Sequence, residues 1–297
     1  MKLFIKHSVL FGIFSSLIYV IVISLSSDYN DNIVYKQQGG HMYTRLNEIV
    51  NYSNVDVLFI GSSHAYRGFD TRLFSKAGIS SFNLGSSSQA PVQSCVLLQQ
   101  YLDRVNPKTI VFEVSPLTFS SDGLESSLDI ISNSKMDLYS IGMLLQVNHI
   151  KLYNTFLYSA VQQLLHRNTD FVQDKTIGKD TYISGGYVQR DENEFRFRKP
   201  KDKSIKTEQM TAFKKIVRLI NSKGIRLVLV QTPLTQKEYN SYSENKSFDE
   251  IMSVHSTYIN FNELITLNDS VHFYDPNHLN QNGVNVFNKK LIELLVN

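Results

Sequence analysis

The stretch "DVLFIGSSHAYRGFD", residues 56 to 70, runs four apolar residues into a Gly-Ser-Ser-His turn, with Tyr66, Arg67 and Asp70 close behind. A short apolar run rich in β-branched and aromatic residues and closed by glycine reads as a buried strand. The turn that follows is either a plain strand-to-helix connection, with Ser63 as a helix cap, or the seat of a reactive serine. Ser62 is the weaker nucleophile of the two, since a side chain at the strand end points toward the sheet. The rest of the chain decides between these readings.

Outward from this stretch, "SSFNLG" (80–85), "TIVFEVSP" (109–116), "RLVLVQTP" (226–233) and "TYINFNE" (257–263) repeat the buried-strand pattern. The segments between them carry apolar residues at helical spacing, with Gly78, Pro107 and Gly224 where those helices should stop. Alternating strands and helices predict an α/β fold: a three-layer α/β/α sandwich around a central parallel sheet. From about 117 to 205 the alternation fails, and two or three helices followed by a polar stretch with Gly185-Gly186 read as a mostly helical insertion. Within it "FRFRKPKDKSIK" (195–206) holds six basic residues and one acid, read as a solvated loop or a patch for an anionic surface.

The chain has 297 residues, 42% hydrophobic, 19% charged and 11% aromatic, the profile of an ordinary globular protein. A net charge of +3, evenly spread, argues against nucleic-acid binding. The single cysteine, Cys95, excludes an internal disulfide and a cysteine-based zinc site. At the N-terminus Lys2 and Lys6 precede 19 uncharged residues, Ser8 to Ser26, and acids first appear at Asp28 and Asp31. That length approaches the roughly 20 residues of a bilayer span and exceeds the usual apolar core of a signal peptide. The reading is a membrane anchor over 1–27, with a signal peptide ending near "SLS" (24–26) as the alternative. Lysines before the span and acids after it put the N-terminus in the cytoplasm and the domain outside. Residues 28–54 form a connector and first helix, and 55–297 the α/β domain.

Working groups of an open parallel sheet gather at the carboxyl ends of its strands. Polar residues reach that edge at Gly61-Ser62-Ser63-His64, Asn83-Leu84-Gly85, Glu113-Val114-Ser115 and Asp275-Pro276-Asn277-His278. A serine attacks well only when a base takes its proton and a third group orients the base. Asp275 and His278, three residues apart in a Pro-containing turn, supply such a pair, and Ser63 is their partner. His272-x-x-Asp275-x-x-His278 also invites a metal reading, but ligands must converge on one point, and a metal there would leave Ser63 unused. No metal or cofactor is expected. Arg67 reads either as an anion contact or as the partner of Asp70. His64 reads as a substrate contact or as a merely polar first-turn residue.

"VLFIGSSH", "FNLGSSS" and "DPNHLNQNG" resemble three sequence blocks of the SGNH (GDSL-type) hydrolase superfamily, in the same order along the chain. The resemblance implies a flavodoxin-like fold, with Ser63 as nucleophile, His278 as base and Asp275 as its orienting partner. It places Ser63 and Gly85 in the oxyanion hole. Two departures stand out. Ser62 replaces the usual acid, as in envelope members similar to alginate acetyltransferases and the D-alanyl transfer protein of teichoic acids. "FEVSPL" lacks the asparagine of the third block, which leaves Ser115 or Glu113 as candidates for the site, with Ser115, His64 and Arg67 as possible substrate contacts. The resemblance and the anchor together imply an extracytoplasmic serine esterase or O-acyltransferase. Its partner would be an acylated surface glycan, with a membrane acyl-donor protein as a further one. Two alternatives stay open: an esterase or lipase of small esters, and a non-catalytic glycan-binding or assembly protein.

Overall fold

The structure is a computed structural model and describes residues 1–25, 32–36, 39–167, 170–192 and 204–296. The chain opens with α1 (Lys2–Ser24) and α2 (Met42–Glu48). β1 (Val57–Ile60), α3 (Ser63–Gly68), α4 (Thr71–Lys76), β2 (Ser81–Asn83), α5 (Pro91–Val105) and β3 (Thr109–Glu113) follow. Next come α6 (Pro116–Ser120), α7 (Leu124–Asn133), α8 (Leu138–Val147) and α9 (Ile150–Leu164), then β4 (Thr176–Ile177), β5 (Asp180–Ile183) and β6 (Tyr187–Arg190). α10 (Thr207–Ser222), β7 (Arg226–Gln231), α11 (Gln236–Asn240), α12 (Asn245–His255), β8 (Thr257–Asn260) and α13 (Phe261–Leu264) continue the alternation. The chain closes with α14 (Asp269–His272), β9 (Phe273–Asp275), β10 (His278–Leu279) and α15 (Gln281–Val296).

Five parallel strands form the central sheet in the order β2-β1-β3-β7-β8. Side chains alternate across it with the two-residue strand period. Leu58, Ile60, Ile110, Phe112, Leu227 and Leu229 pack on one face against α5, α10 and α12. Val57, Phe59, Val111, Val228 and Val230 pack on the other against α4, α13 and α15. Both faces are covered, which is why the strands read as unbroken apolar runs. Phe59 illustrates the packing, with its ring centroid 4.6 Å from that of Phe69 and 4.8 Å from that of Phe74; cutting it to alanine should cost about 3–5 kcal/mol.

The chain leaves β1 toward β2 and returns over β1 to β3, so the strand order reverses between β1 and β3. In such sheets the crevice outside the carboxyl ends at that reversal is the natural binding place. Ile60 lies opposite Phe112, which brings Gly61-Ser62-Ser63 beside Glu113.

The segment between β3 and α10 is not only helical. Its polar part, read from the sequence only as the end of a mostly helical insertion, is a three-stranded antiparallel sheet, β4-β5-β6. Its strands are two to four residues long and half-exposed, too short to leave a clear alternation. Gly185 and Gly186 make the β5–β6 turn and dock on β2, where the Asn83 N–H donates to Gly185 O at 2.7 Å. At Gly186 φ is +89° and a Cβ would meet Asn83 O at 2.0 Å, so only glycine fits. Most of the basic run 195–206 lies outside the described residues.

α1 is 23 residues long with a hydropathy of 2.0, long and apolar enough for a membrane span or a signal sequence. It meets the rest of the chain near its C-terminal end, where Tyr19 hydrogen-bonds Asn154 of α9 and Ile23 joins a cluster with Ile33, Tyr35 and Tyr158.

Candidate active site

β1 delivers the chain to the crevice and Gly61 turns it. With φ at +137° and a would-be Cβ only 2.6 Å from Glu113 Cβ, residue 61 must be glycine. Ser62, not Ser63, caps α3: its hydroxyl accepts from the His64 N–H. Ser62 also donates its N–H (2.9 Å) and hydroxyl (2.8 Å) to Glu113 Oε2. Ser63 is thereby the first helical residue, with its side chain free of capping duty. Its Oγ lies 2.8 Å from His278 Nε2.

His278 Nδ1 lies 2.9 and 3.0 Å from the two carboxylate oxygens of Asp275. Asp275 is held in turn by the N–H groups of Asn277 (2.8 Å) and His278 (2.9 Å), the Asx-turn expected of an aspartate before proline. With Nδ1–H donated to Asp275, Nε2 carries the lone pair facing Ser63. Burial lowers the His278 pKa to about 4, and Asp275 opposes that fall. The ring is therefore neutral at neutral pH, the form that accepts a proton. Tyr274 stacks on it in parallel at 5.4 Å, and His64 lies against it at 5.1 Å.

Ser63 and His278 open into a cleft of about 240 Å³. Its walls are polar or aromatic: Tyr66, Arg67, Ser87, Ser88, Glu125, Arg190, Glu192 and Tyr274 join the three residues already named. The two arginines are matched by acids. Arg67 makes a two-pronged contact with Asp180, 2.7 Å on each side. Arg190 shares Asp180 at 3.0 Å and reaches Glu192 at 2.7 Å. Burial alone would raise the Asp180 pKa, but Arg67 and Arg190 hold it below the usual range.

Several sequence expectations change. Arg67 does not pair with Asp70; it crosses from α3 to β5. α3 ends at Gly68, and Asp70 starts a new helix, capping α4 and chelating Arg72 at 2.7–3.2 Å. His64 lines no part of the cleft. It is buried behind Ser63, with Nδ1 3.2 Å from Ser62 Oγ and 3.5 Å from Glu113 Oε1. Ser115 is buried as the N-cap of α6 in a capping box with Thr118, away from the cleft lining. Gly85 is a packing glycine: its N–H donates to Asn83 Oδ1 at 3.1 Å, and a Cβ would sit 3.0 Å from Ala65 Cβ, Gly61 O and Tyr66 N. From that loop Ser87 and Ser88 line the cleft, Ser88 in the left-handed region with φ +51°. His272 is half-buried and its ring bonds the Asn268 backbone.

Glu113 emerges as the buried carboxylate behind Ser63. Burial would raise its pKa, but the neighbouring His64 ring and the hydrogen bonds from Ser62 keep it low. Asp180, Arg190 and Glu192 had no signal in the sequence, because the segment that carries them is brought to the site only by long-range packing.

No protein-family model and no curated protein matches the sequence. Solved structures of similar topology do exist. One is a GDSL-like lipase from Bacteroides thetaiotaomicron, 11% identical, covering 86% of this chain and 98% of that one, with a TM-score of 0.42. Another is a candidate acylhydrolase from Bacteroides fragilis, at 10% identity, 87% and 97% coverage and a TM-score of 0.43. A candidate lipolytic protein of the G-D-S-L family from Desulfitobacterium hafniense matches at 12% identity over 80% and 98%, with a TM-score of 0.40.

Proposed function

We propose that the protein is a membrane-anchored serine esterase or O-acyltransferase that works outside the cytoplasm on short acyl groups of a surface polysaccharide. The observation that carries the reading is Ser63 Oγ at 2.8 Å from His278 Nε2, with Asp275 on the other ring nitrogen. His278 takes the hydroxyl proton as Ser63 Oγ attacks the acyl carbon. The tetrahedral intermediate then collapses, His278 gives that proton to the leaving alcohol, and an acyl-Ser63 ester remains. Water or a sugar hydroxyl, deprotonated by His278, releases the acyl group. General base catalysis of this kind contributes about 10²–10⁴-fold. The Ser63 N–H at the start of α3 and the Ser87–Ser88 loop in the cleft wall would supply donors to the developing oxyanion.

The polar cleft supports a sugar ester over a lipid. None of its lining residues is aliphatic, so a long acyl chain would meet only the rings of Tyr66 and Tyr274, while Ser87, Ser88, Glu125 and Arg190 suit hydroxyl groups. α1, about 34 Å long at 1.5 Å per residue, matches a bilayer core of about 30 Å, with Lys2 and Lys6 on the cytoplasmic side. A membrane acyl-donor protein would supply the acyl group in the transfer reaction.

The test is a fluorophosphonate probe on wild type and Ser63→Ala, alongside glycan O-acetylation in cells carrying each. Labelling at Ser63 with altered acetylation in the variant supports the reading. An unlabelled, folded wild type with unchanged acetylation in Ser63→Ala leaves a non-catalytic glycan-binding role. Labelling with unchanged acetylation points to small esters instead.

A further inference from the structure

α8 is capped by Asp137, and its inner residues Ser140, Met143 and Leu144 are buried. It packs on α5, where Gln100 Nε2 donates to Asp137 Oδ2 (2.9 Å) and Ser140 Oγ (3.2 Å). Its outer face is apolar and, among the described residues, uncovered. Leu138 is 82% exposed and Leu145 64%, with Tyr139 and Ile141 between them, and Ile150 at the start of α9 is 64% exposed. Between Asp137 and Lys151 the sequence "LYSIGMLLQVNHI" carries no Asp, Glu, Lys or Arg over 13 residues. An exposed apolar surface of this kind marks an interaction site.

The contact between α1 and α9 says what covers it. Tyr19 of α1 meets Asn154 of α9, and Ile23, one turn further on, clusters with Tyr158, also one turn further on. The two helices therefore advance in the same direction. With α1 running out of the bilayer, the N-terminal end of α9 and the α8–α9 turn lie on the bilayer side of that contact. We infer that the α8–α9 hairpin enters the outer leaflet beside α1, seating Leu138, Ile141, Leu145 and Ile150 in lipid. Tyr139 and Tyr19 lie at the headgroup level, where tyrosine is enriched. A helix with an apolar outer face lying in the interface plane is a known mode of membrane attachment. This inference rests on reading α1 as a membrane span.

Site-directed spin labelling of the full chain in phosphatidylethanolamine–phosphatidylglycerol vesicles tests it. A nitroxide is placed in turn on Ile13→Cys in α1, Ile141→Cys and Leu145→Cys in α8, and Val286→Cys on α15. α15 covers the sheet face opposite α5. All four side chains are exposed, so the cysteines disturb no packing, and wild type with its buried Cys95 is the blank. The expected result is that labels at 13, 141 and 145 collide more with oxygen than with a water-soluble nickel chelate, the reverse of the order at 286. Bilayer order at 13 with aqueous order at 141 and 145 overturns the hairpin inference alone. Labels at 141 and 145 shielded from both probes also overturn it, since a protein partner or a second copy then covers the face. Aqueous order at 13 and at both α8 positions removes the membrane-span reading and this inference with it.

Discussion

Glu113, the last residue of β3, accepts two hydrogen bonds from Ser62, at 2.9 Å from its N–H and 2.8 Å from its hydroxyl. One buried carboxylate thus ties the end of β3 to the residue ahead of Ser63 and fixes where α3 starts. The aim of Ser63 toward His278 depends on that start.

Glu113→Ala orphans the N–H and hydroxyl of Ser62, at about 1–3 kcal/mol for each buried donor. The denaturant midpoint of the variant should fall, and its turnover with it. Glu113→Gln keeps an acceptor at the same place and should recover most of the stability. Equal destabilisation by both substitutions in urea titrations would show that charge, not hydrogen bonding, is what Glu113 supplies.

Asp275→Asn preserves volume but offers an amide to His278 Nδ1. The ring then loses its enforced tautomer, and kcat for a chromogenic acetyl ester should drop by about 10³–10⁴-fold. KM should move far less, because Asp275 acts through His278. A variant with wild-type kcat would remove Asp275 from the triad.

His278 sets the acid side of the pH profile. Burial lowers its pKa from 6.5 to about 4, against the pull of Asp275. The active form is the neutral ring, so activity is retained at mildly acidic pH and lost as pH falls through about 4. Between those two values the unfolded ring binds a proton that the folded ring refuses. By linkage this group makes stability decline as pH drops through that window. Rates and melting temperatures measured from neutral to acid pH check both; an acid limb near an ordinary histidine pKa would contradict the buried environment.

Gly186→Ala should destabilise by on the order of 3 kcal/mol, from a left-handed backbone and a Cβ driven into Asn83 O. Gly178→Ala, also at positive φ but with no atom within 4 Å of its would-be Cβ, carries strain without the clash and should cost less. Thermal melts of the pair separate the two contributions.

The sheet was legible in the sequence because its strands are buried on both faces and stand out as apolar runs between helical segments. Ser63, Asp275 and His278 stood out because chemically capable residues follow strand ends. The structure brings those three together from positions 215 and three residues apart. Ser115 also follows a strand, but there the same residue type serves as a cap, a duty that sequence cannot tell from chemistry. Gly85 drew attention as an N–H donor, whereas its missing side chain is what the packing uses. Arg67 had Asp70 nearby in sequence, yet it pairs with Asp180 over a hundred residues away, a choice made only once the β5–β6 hairpin docks. That hairpin left no signal, since strands this short and half-exposed carry too few residues for a period.

Asp180, which receives both Arg67 and Arg190, gives the molecule a division of labour. Ser63, Asp275 and His278 sit at the carboxyl edge of the sheet, while Arg190 and Glu192 enter the cleft wall from a separate hairpin that Asp180 helps tie to α3. Recognition can therefore drift by rewriting β5 and β6 while Ser63, Asp275 and His278 stay as they are, provided that position 180 keeps its acid.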